Sequence, residues 1–361
     1  MSAVASGLIR RHAGLWLSDR WYRLAWVIWP QTAALLLAGW FMLGPPTGGQ
    51  ANVPWAKPAT PPTLSDGQTY DLRNQAKTDP QMLARLQQIA NSGDAAAEFA
   101  LGTLYDPEYN FGKLTPANVN TAMSWYQKAA EQGQALAQQN LGWKYYEGKW
   151  VPADNAKALL WFKKAAEQGN AVAQRYMGLM NEEGRGIPVN KTFALQWFQR
   201  AADQGDVIGQ VRVGDAYWFG TGYNKNERES LSWFRKAAAQ GNAYAQMSVG
   251  EALFYGIGGE HNDNRAFNFF QQSADNGNAR GQFDLGMAYD QGRGTAVDPQ
   301  KAFEWYKKGA ENGNAHAQNG LGLAYANGRG VNRDIAAARF WLQKAALNGD
   351  ANAARNLRAL H

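Results

Sequence analysis

Reactive side chains are sparse in this chain and keep little useful company. The four histidines, His12, His261, His316 and His361, are isolated, and no H-E-x-x-H, G-x-S-x-G or Walker-type pattern occurs. The absence of cysteine removes disulfides, thiolate metal sites, a thiol nucleophile and a lipid-modified N-terminal cysteine. Glu260, His261 and Asp263 crowd together in sequence, but they sit in a polar turn and read as a solvated turn, not a metal site. The carboxylates Glu182 and Glu183 fall at a helix end and read as surface. Glycine-rich turns recur as "GRG" (184–186, 292–294, 328–330), "GTG" (220–222) and "GIG" (256–258). A phosphate cradle needs a strand before such glycines and a helix opening after them. Here they close a helix instead. The residues therefore predict no catalytic group, no cofactor and no metal.

What remains is aromatic. Trp143 and Tyr146, Trp218 and Phe219, and Tyr244, Phe254 and Tyr255 share one face of a recurring helix, at positions that vary from unit to unit. Clustered exposed aromatics mark binding surfaces. The seven are the candidate partner-binding residues, lining a groove for an extended or helical segment of another protein. The competing reading is that curvature buries several of them between adjacent units.

The elements that position these residues repeat. Gly-Asx-Ala or a close relative begins at Gly93, Gly133, Gly169, Gly205, Gly241, Gly277, Gly313 and Gly349. The first interval is 40 residues and each later one 36. A fixed period of this length predicts a solenoid whose units bury their apolar faces only against neighbours. Each unit reads as two helices. Asp94, Asn170, Asp206, Asn242, Asn278, Asn314 and Asp350 are preferred N-caps for the first helix, with Gln134 the exception. A small residue, then Leu, Met or Val four on, then most often Tyr four further, keeps one face apolar. Gly102, Gly142, Gly178, Gly214, Gly250, Gly286 and Gly322 stand inside that helix, where glycine costs about 1 kcal/mol relative to alanine. Repeating that cost implies a packing notch, a close approach of backbone to the neighbouring helix. Asn118, Asp154, Asn190, Asn226, Asn262, Asp298 and Asp334 share a register that caps the second helix. That helix carries Trp-Phe or similar pairs, read as core, and ends in Lys-Ala-Ala, with the cation favoured by the helix dipole.

The pattern A-x-A-x-x-x-L-G-x-x-Y-x-x-G-x-G followed by D-x-x-K-A-x-x-W-[FY]-x-K-A-A-x-x-G-N resembles the Sel-one-like repeat family, relatives of the tetratricopeptide repeats. Trp150 stands where a turn glycine is expected, Glu229 and Ser230 replace a Lys-Ala pair, and the first unit carries four extra residues. The resemblance covers Gly93 to His361 and implies an all-α, right-handed α/α superhelix of about seven 36-residue hairpins. It further implies a surface that binds protein segments and scaffolds complexes, often in bacterial envelopes. "DPQMLARLQQIANSG" (Asp79 to Gly93) resembles an N-terminal half-unit, and a truncated unit closes the chain.

Ahead of the repeats, residues 24–44 run 21 residues without a charge. As a helix they span roughly 30 Å, the hydrocarbon thickness of a bilayer. Four arginines precede them, so the positive-inside rule places residues 1–23 in the cytoplasm and the remainder across the membrane. A cleavable signal peptide is the competing reading; the long n-region and missing A-x-A site argue against it. Residues 45–78 read as a proline-rich spacer and 79–361 as the solenoid. The net charge of +6 resides largely at the front: residues 1–78 hold seven basic and three acidic side chains. The nearly neutral repeats argue against nucleic acid.

The expectation is a non-catalytic, membrane-anchored interaction scaffold of the bacterial inner membrane with its repeats in the periplasm, binding other proteins of an envelope complex. A regulatory subunit restraining an envelope enzyme or signalling protein, and a glycan- or peptidoglycan-binding module, are the alternatives. A small-molecule ligand is not expected.

Overall fold

The computed structural model describes residues 65–110 and 116–360. Eighteen α-helices and no strand are found among them: α1 (Asp66–Ala76), α2 (Pro80–Asn91), α3 (Ala95–Tyr105), α4 (Pro107–Asn110), α5 (Pro116–Glu131), α6 (Ala135–Glu147), α7 (Asn155–Glu167), α8 (Ala171–Glu183), α9 (Lys191–Asp203), α10 (Val207–Phe219), α11 (Glu227–Ala239), α12 (Ala243–Tyr255), α13 (Asp263–Asp275), α14 (Ala279–Gln291), α15 (Pro299–Glu311), α16 (Ala315–Asn327), α17 (Ile335–Leu347) and α18 (Ala353–Arg358). From α3 onward they pair as hairpins, and consecutive hairpins stack into an all-helical solenoid. The charge-free stretch 24–44 lies outside the described residues. Among the described helices none is long and apolar enough to cross a membrane.

Capping follows the sequence closely. Asp94, Asn170, Asp206, Asn242, Asn278 and Asn314 each accept a hydrogen bond from the backbone three residues on, at 2.8–2.9 Å. Gln134, the exception among the Asx residues of this register, also caps α6, through Oε1, which accepts from the Leu136 amide at 2.7 Å. Its longer side chain bends back to the position an Asn would occupy. Asn118 is a correction: α5 begins at Pro116, so Asn118 lies within the first turn of the helix and not ahead of it. The extra residues of the first unit displace that helix start from the register of the others.

Part of the stretch read as spacer is helical. Ser65 and Gln68 form a capping box at the head of α1. Thr69, Leu72 and Ala76 then fall on one buried face, and Leu72 and Ala76 join a cluster with Leu86, Ala90, Ala97, Ala100 and Leu101. Thus α1 and α2 form the N-terminal hairpin that covers the first unit, where only α2 was expected.

The internal glycines are notches, though not for backbone. A Cβ placed on Gly102, Gly142, Gly178, Gly214, Gly250 or Gly286 would lie 2.5–2.8 Å from the ring of Tyr126, Phe162, Phe198, Phe234, Phe270 or Tyr306 respectively. Each ring comes from the second helix of the same hairpin. At Gly322 the same place is taken by Leu342, the one aliphatic residue in that register. The aromatic pairs of the second helices therefore divide. The second member fills its own hairpin's notch, while Trp125, Trp161, Trp197, Trp233, Trp305 and Trp341 lie beneath a cation one turn on, from Lys128, Lys164, Arg200, Lys236, Lys308 and Lys344, at 3.6–5.0 Å.

First helices of successive hairpins approach one another more closely than second helices do, as α6 with α8, α12 with α14 and α14 with α16. The row of first helices consequently forms the inner side of the array's curve.

Candidate interaction surface

The surface is built by joints between units, because they decide which inner-face side chains remain available. Three devices recur. The first is a buried glutamine on each first helix: Gln138, Gln174, Gln210, Gln246, Gln282 and Gln318. Its Oε1 accepts from Gln168, Gln204, Gln240, Asn276, Asn312 or Asn348 at the end of the same hairpin, at 2.7–3.0 Å. In five of the six, Nε2 also donates to a carbonyl of the preceding hairpin, from Ala130, Ala166, Ala238, Ala274 or Ala310. An amide can do both at once, which a carboxylate cannot. The first unit carries Glu98 in this register. It accepts from Gln132 at 2.7 Å, and burial raises its pKa above the usual carboxylate value.

The second device is the arginine of the G-R-G turns. Arg185, Arg293 and Arg329 each reach back 39 residues to donate to the carbonyl of Tyr146, Phe254 or Asp290 at the end of the preceding first helix, at 2.7–2.8 Å. Arg185 and Arg293 also lie flat over the Tyr146 and Phe254 rings, 3.6 and 3.4 Å from their centres. Such helix-end carbonyls are the ones left unpaired within a helix. The third is the last turn glycine: a Cβ on Gly186 would come within 2.8 Å of the Asn155 carbonyl, so only glycine lets the turn rest on the preceding second helix.

These joints sort the seven candidate aromatics. Phe254, expected on the open face, is 2% exposed, enclosed by its own core cluster and Arg293. Tyr146 is half-buried beneath Arg185, and its hydroxyl bonds Glu183. Tyr244 is half-buried and donates its hydroxyl to Asp215 at 2.9 Å; burial lifts that carboxyl to a pKa of about 6. Trp143 is half-buried among Tyr145, Tyr146 and Tyr176. Trp218 and Phe219 are half-buried at the end of α10, and Tyr255 is 46% exposed at the end of α12. The turns after these two helices hold Thr221 and Ile257 where three others carry arginine. In particular, Ile257 cannot clamp Trp218 as Arg293 clamps Phe254.

The rest of the inner face is occupied by ion pairs between units. Arg175 meets Asp206 at 2.9 Å, Arg212 meets Glu182 at 3.6 Å, and Arg280 bridges Glu251 and Asp284 at 2.8 and 3.2 Å. Asp284 is fully buried and its pKa is raised by desolvation. None of this was anticipated from single helices. The repeated Gln in register and the Arg within G-R-G were the available signals. The Glu260-His261-Asp263 turn is claimed by Arg293, which pairs with Asp263 at 2.6 Å and touches His261 at 3.0 Å. Among the described residues no group of His, Asp and Glu is arranged to hold a metal.

An all-helical solenoid with inter-unit joints of this kind defines a repeat protein that offers surface. The Sel1 repeat model matches residues 95–134, 135–170, 171–206, 207–242, 243–278, 279–314 and 315–350. The chain belongs to the Sel1 repeat family, whose members mediate protein–protein interactions and generally act as non-catalytic scaffolds. Among solved structures it is similar to a protective antigen present in uropathogenic Escherichia coli strains, displaying an SLR fold. That match has 35% identity and a TM-score of 0.70, over 82% of this chain and 64% of the other. The chain thus spans just under two thirds of that antigen's length. A Sel1 repeat protein from Oxalobacter formigenes is 32% identical with a TM-score of 0.58, over 63% of this chain and 92% of the other. No match was found among curated proteins.

Proposed function

We propose that this chain is a non-catalytic interaction scaffold of the bacterial envelope. In this reading residues 24–44 anchor it in the inner membrane, the repeats occupy the periplasm, and the inner row of first helices holds a segment of a partner protein. The observation that carries the binding part is the patch at the ends of α10 and α12, where Trp218, Phe219 and Tyr255 are left partly open. The turn after α12 carries Ile257, so no arginine fastens the end of α10 in the way Arg185 fastens the end of α6 and Arg293 that of α12. Large amphipathic rings on a rigid helical frame give contact area at low entropic cost.

The test is recovery of crosslinked partners from intact cells with wild-type chain and with the double variant Trp218→Ala, Tyr255→Ala. Tyr255 is 46% exposed whereas Trp218 packs on the core beside Phe234, so the variant should melt lower yet stay helical, and partner recovery well below that temperature should fall several-fold. Undiminished recovery would remove this patch as the binding surface. Protease accessibility of the repeats in spheroplasts, but not in intact cells, is the expected signature of the proposed topology.

A further inference from the structure

The units beginning at Gly205 and Gly241 differ at one place in a way that leaves a hole. In the first, Tyr217 of α10 and Tyr223 of the following turn stack with centres 4.4 Å apart and planes 22° from parallel. The pair packs on the cluster of Leu195 and Phe198, and the Tyr223 hydroxyl donates to Gln199 at 3.2 Å. Thirty-six residues later the same positions hold Leu253, Gly259 and Arg235. Both rings are gone. What remains is a cavity of about 300 Å³ floored by Leu231, Val249, Ala252 and Leu253. The turn has been rebuilt around it as a 3-10 segment, Ile257–Gly259, with Gly259 at φ +94°. The wall nearest the opening is charged. Arg235 and Arg265 both pair with Glu260, and Arg228 stands beside Gly259. Two guanidinium groups, Arg228 and Arg235, and one carboxylate, Glu260, line the cavity, an excess of positive charge at the mouth of a pocket with an apolar floor.

We propose that this cavity is a docking site for a tyrosine side chain flanked by carboxylates on a segment of a partner protein. The ring takes the space that the Tyr217–Tyr223 pair fills inside the preceding unit. Arg235 occupies the place of Gln199, the residue that receives the Tyr223 hydroxyl, and can donate to a phenol oxygen. The flanking carboxylates meet Arg228 and the unsatisfied positive charge around Glu260. This contact is formed by α11, α12 and the turn after α12, and it stands whether or not the Trp218 patch binds anything.

The experiment uses the full chain and three labelled peptides, acetyl-Glu-Asp-Tyr-Asp-Glu-amide, its Tyr→Ala counterpart and a Lys-flanked tyrosine peptide, with binding read by fluorescence anisotropy. The acidic tyrosine peptide should bind with one site per chain, at least tenfold more tightly than either control. Leu253→Tyr restores the ring that Tyr105, Tyr145, Tyr217, Tyr289 and Tyr325 supply in this register elsewhere, so it should close the cavity and weaken binding at least tenfold. Arg228→Glu, an exposed substitution outside the core, should weaken it several-fold and provides the answer should Leu253→Tyr misfold. No binding by wild type, equal binding of the alanine peptide, or wild-type affinity in the arginine variant would each overturn the proposal.

Discussion

The joint between the first two units and the joints between later ones meet the same demand with different chemistry. From Gly133 onward, units are fastened by amide bonds, by glycine against backbone, by inner-face ion pairs such as Arg175–Asp206 and Arg280–Glu251 and, in three turns, by an arginine on a carbonyl. The first joint has the amide bond, from Gln138 to the Ala130 carbonyl, and adds to it a cluster of charge centred on one lysine. Lys144, 3% exposed, reaches Asp106 and Glu108 at 2.8 Å each, and Tyr126 donates its hydroxyl to Asp106 at 3.0 Å. Trp150, which replaces the turn glycine, donates its indole N–H to Glu108 at 2.7 Å. Glu108 belongs to α4, the short helix that the extra residues of the first unit create. Two departures from the repeat pattern, an insertion and a tryptophan, are thus one compensated change. The lesson is that the amide rung repeats along the array, whereas each charged contact is specific to one place and depends on every member.

Breaking that joint has the largest expected effect. Lys144→Met removes the cation from the buried Asp106 carboxylate, while Glu108 keeps Lys149 and Trp150, and removing one partner of a buried pair costs about 3–5 kcal/mol. Hydrogen exchange should accelerate in α3 to α6 and not in α14 to α17. Next, Gly214→Ala drives a methyl into the Phe234 ring. Overpacking costs about 1–3 kcal/mol, offset by about 1 kcal/mol of helix propensity, so denaturant unfolding should show a net loss.

Bringing the first unit's Glu98 into line with the glutamines of the later units should stabilise. Glu98→Gln supplies the missing donor, a gain of about 1 kcal/mol. The pH dependence separates this from a generic effect. The Glu98 pKa is raised on folding, so the native state holds its proton where the unfolded chain has released it. The contribution of Glu98 to wild-type stability is therefore fully present below the ordinary value of 4.5 and is lost as pH rises through the folded value. The difference between the variant and wild type should widen over that range in urea melts at a series of pH values. The smallest expected effect comes from Ile257→Arg. It restores a clamp on the Trp218 carbonyl, worth a few tenths to about 1 kcal/mol, and should raise the melting temperature by a degree or two.

Much of this fold was legible in the residues. The 36-residue spacing, the Asx caps and the Tyr or Leu stripe identify hairpins because they are local signals, each contained within one turn of helix. The notch glycines were legible as notches, but their occupant was misread, since a helix pattern does not say which partner atom arrives. The aromatic face was legible only in part. Phe254 and Trp218 hold equivalent positions on their helices, yet one is enclosed and the other partly open. What separates them is the residue 39 positions later, Arg293 or Ile257, and that dependence exists only once the angle between units is known. α1 was readable from the Ser65–Gln68 pair and the Thr69, Leu72, Ala76 spacing, but the proline-rich sequence before it masked the change of character.

A side chain that spans 39 residues in an array of period 36 acts as a strut between successive coils. Coils joined by Arg185, Arg293 and Arg329 are braced; the two consecutive turns with Thr221 and Ile257 are not. Pulled from its ends, the molecule would yield first at its middle, where the Trp218 patch lies. The same compliance would let the centre flex to admit a ligand while both flanks keep their curvature.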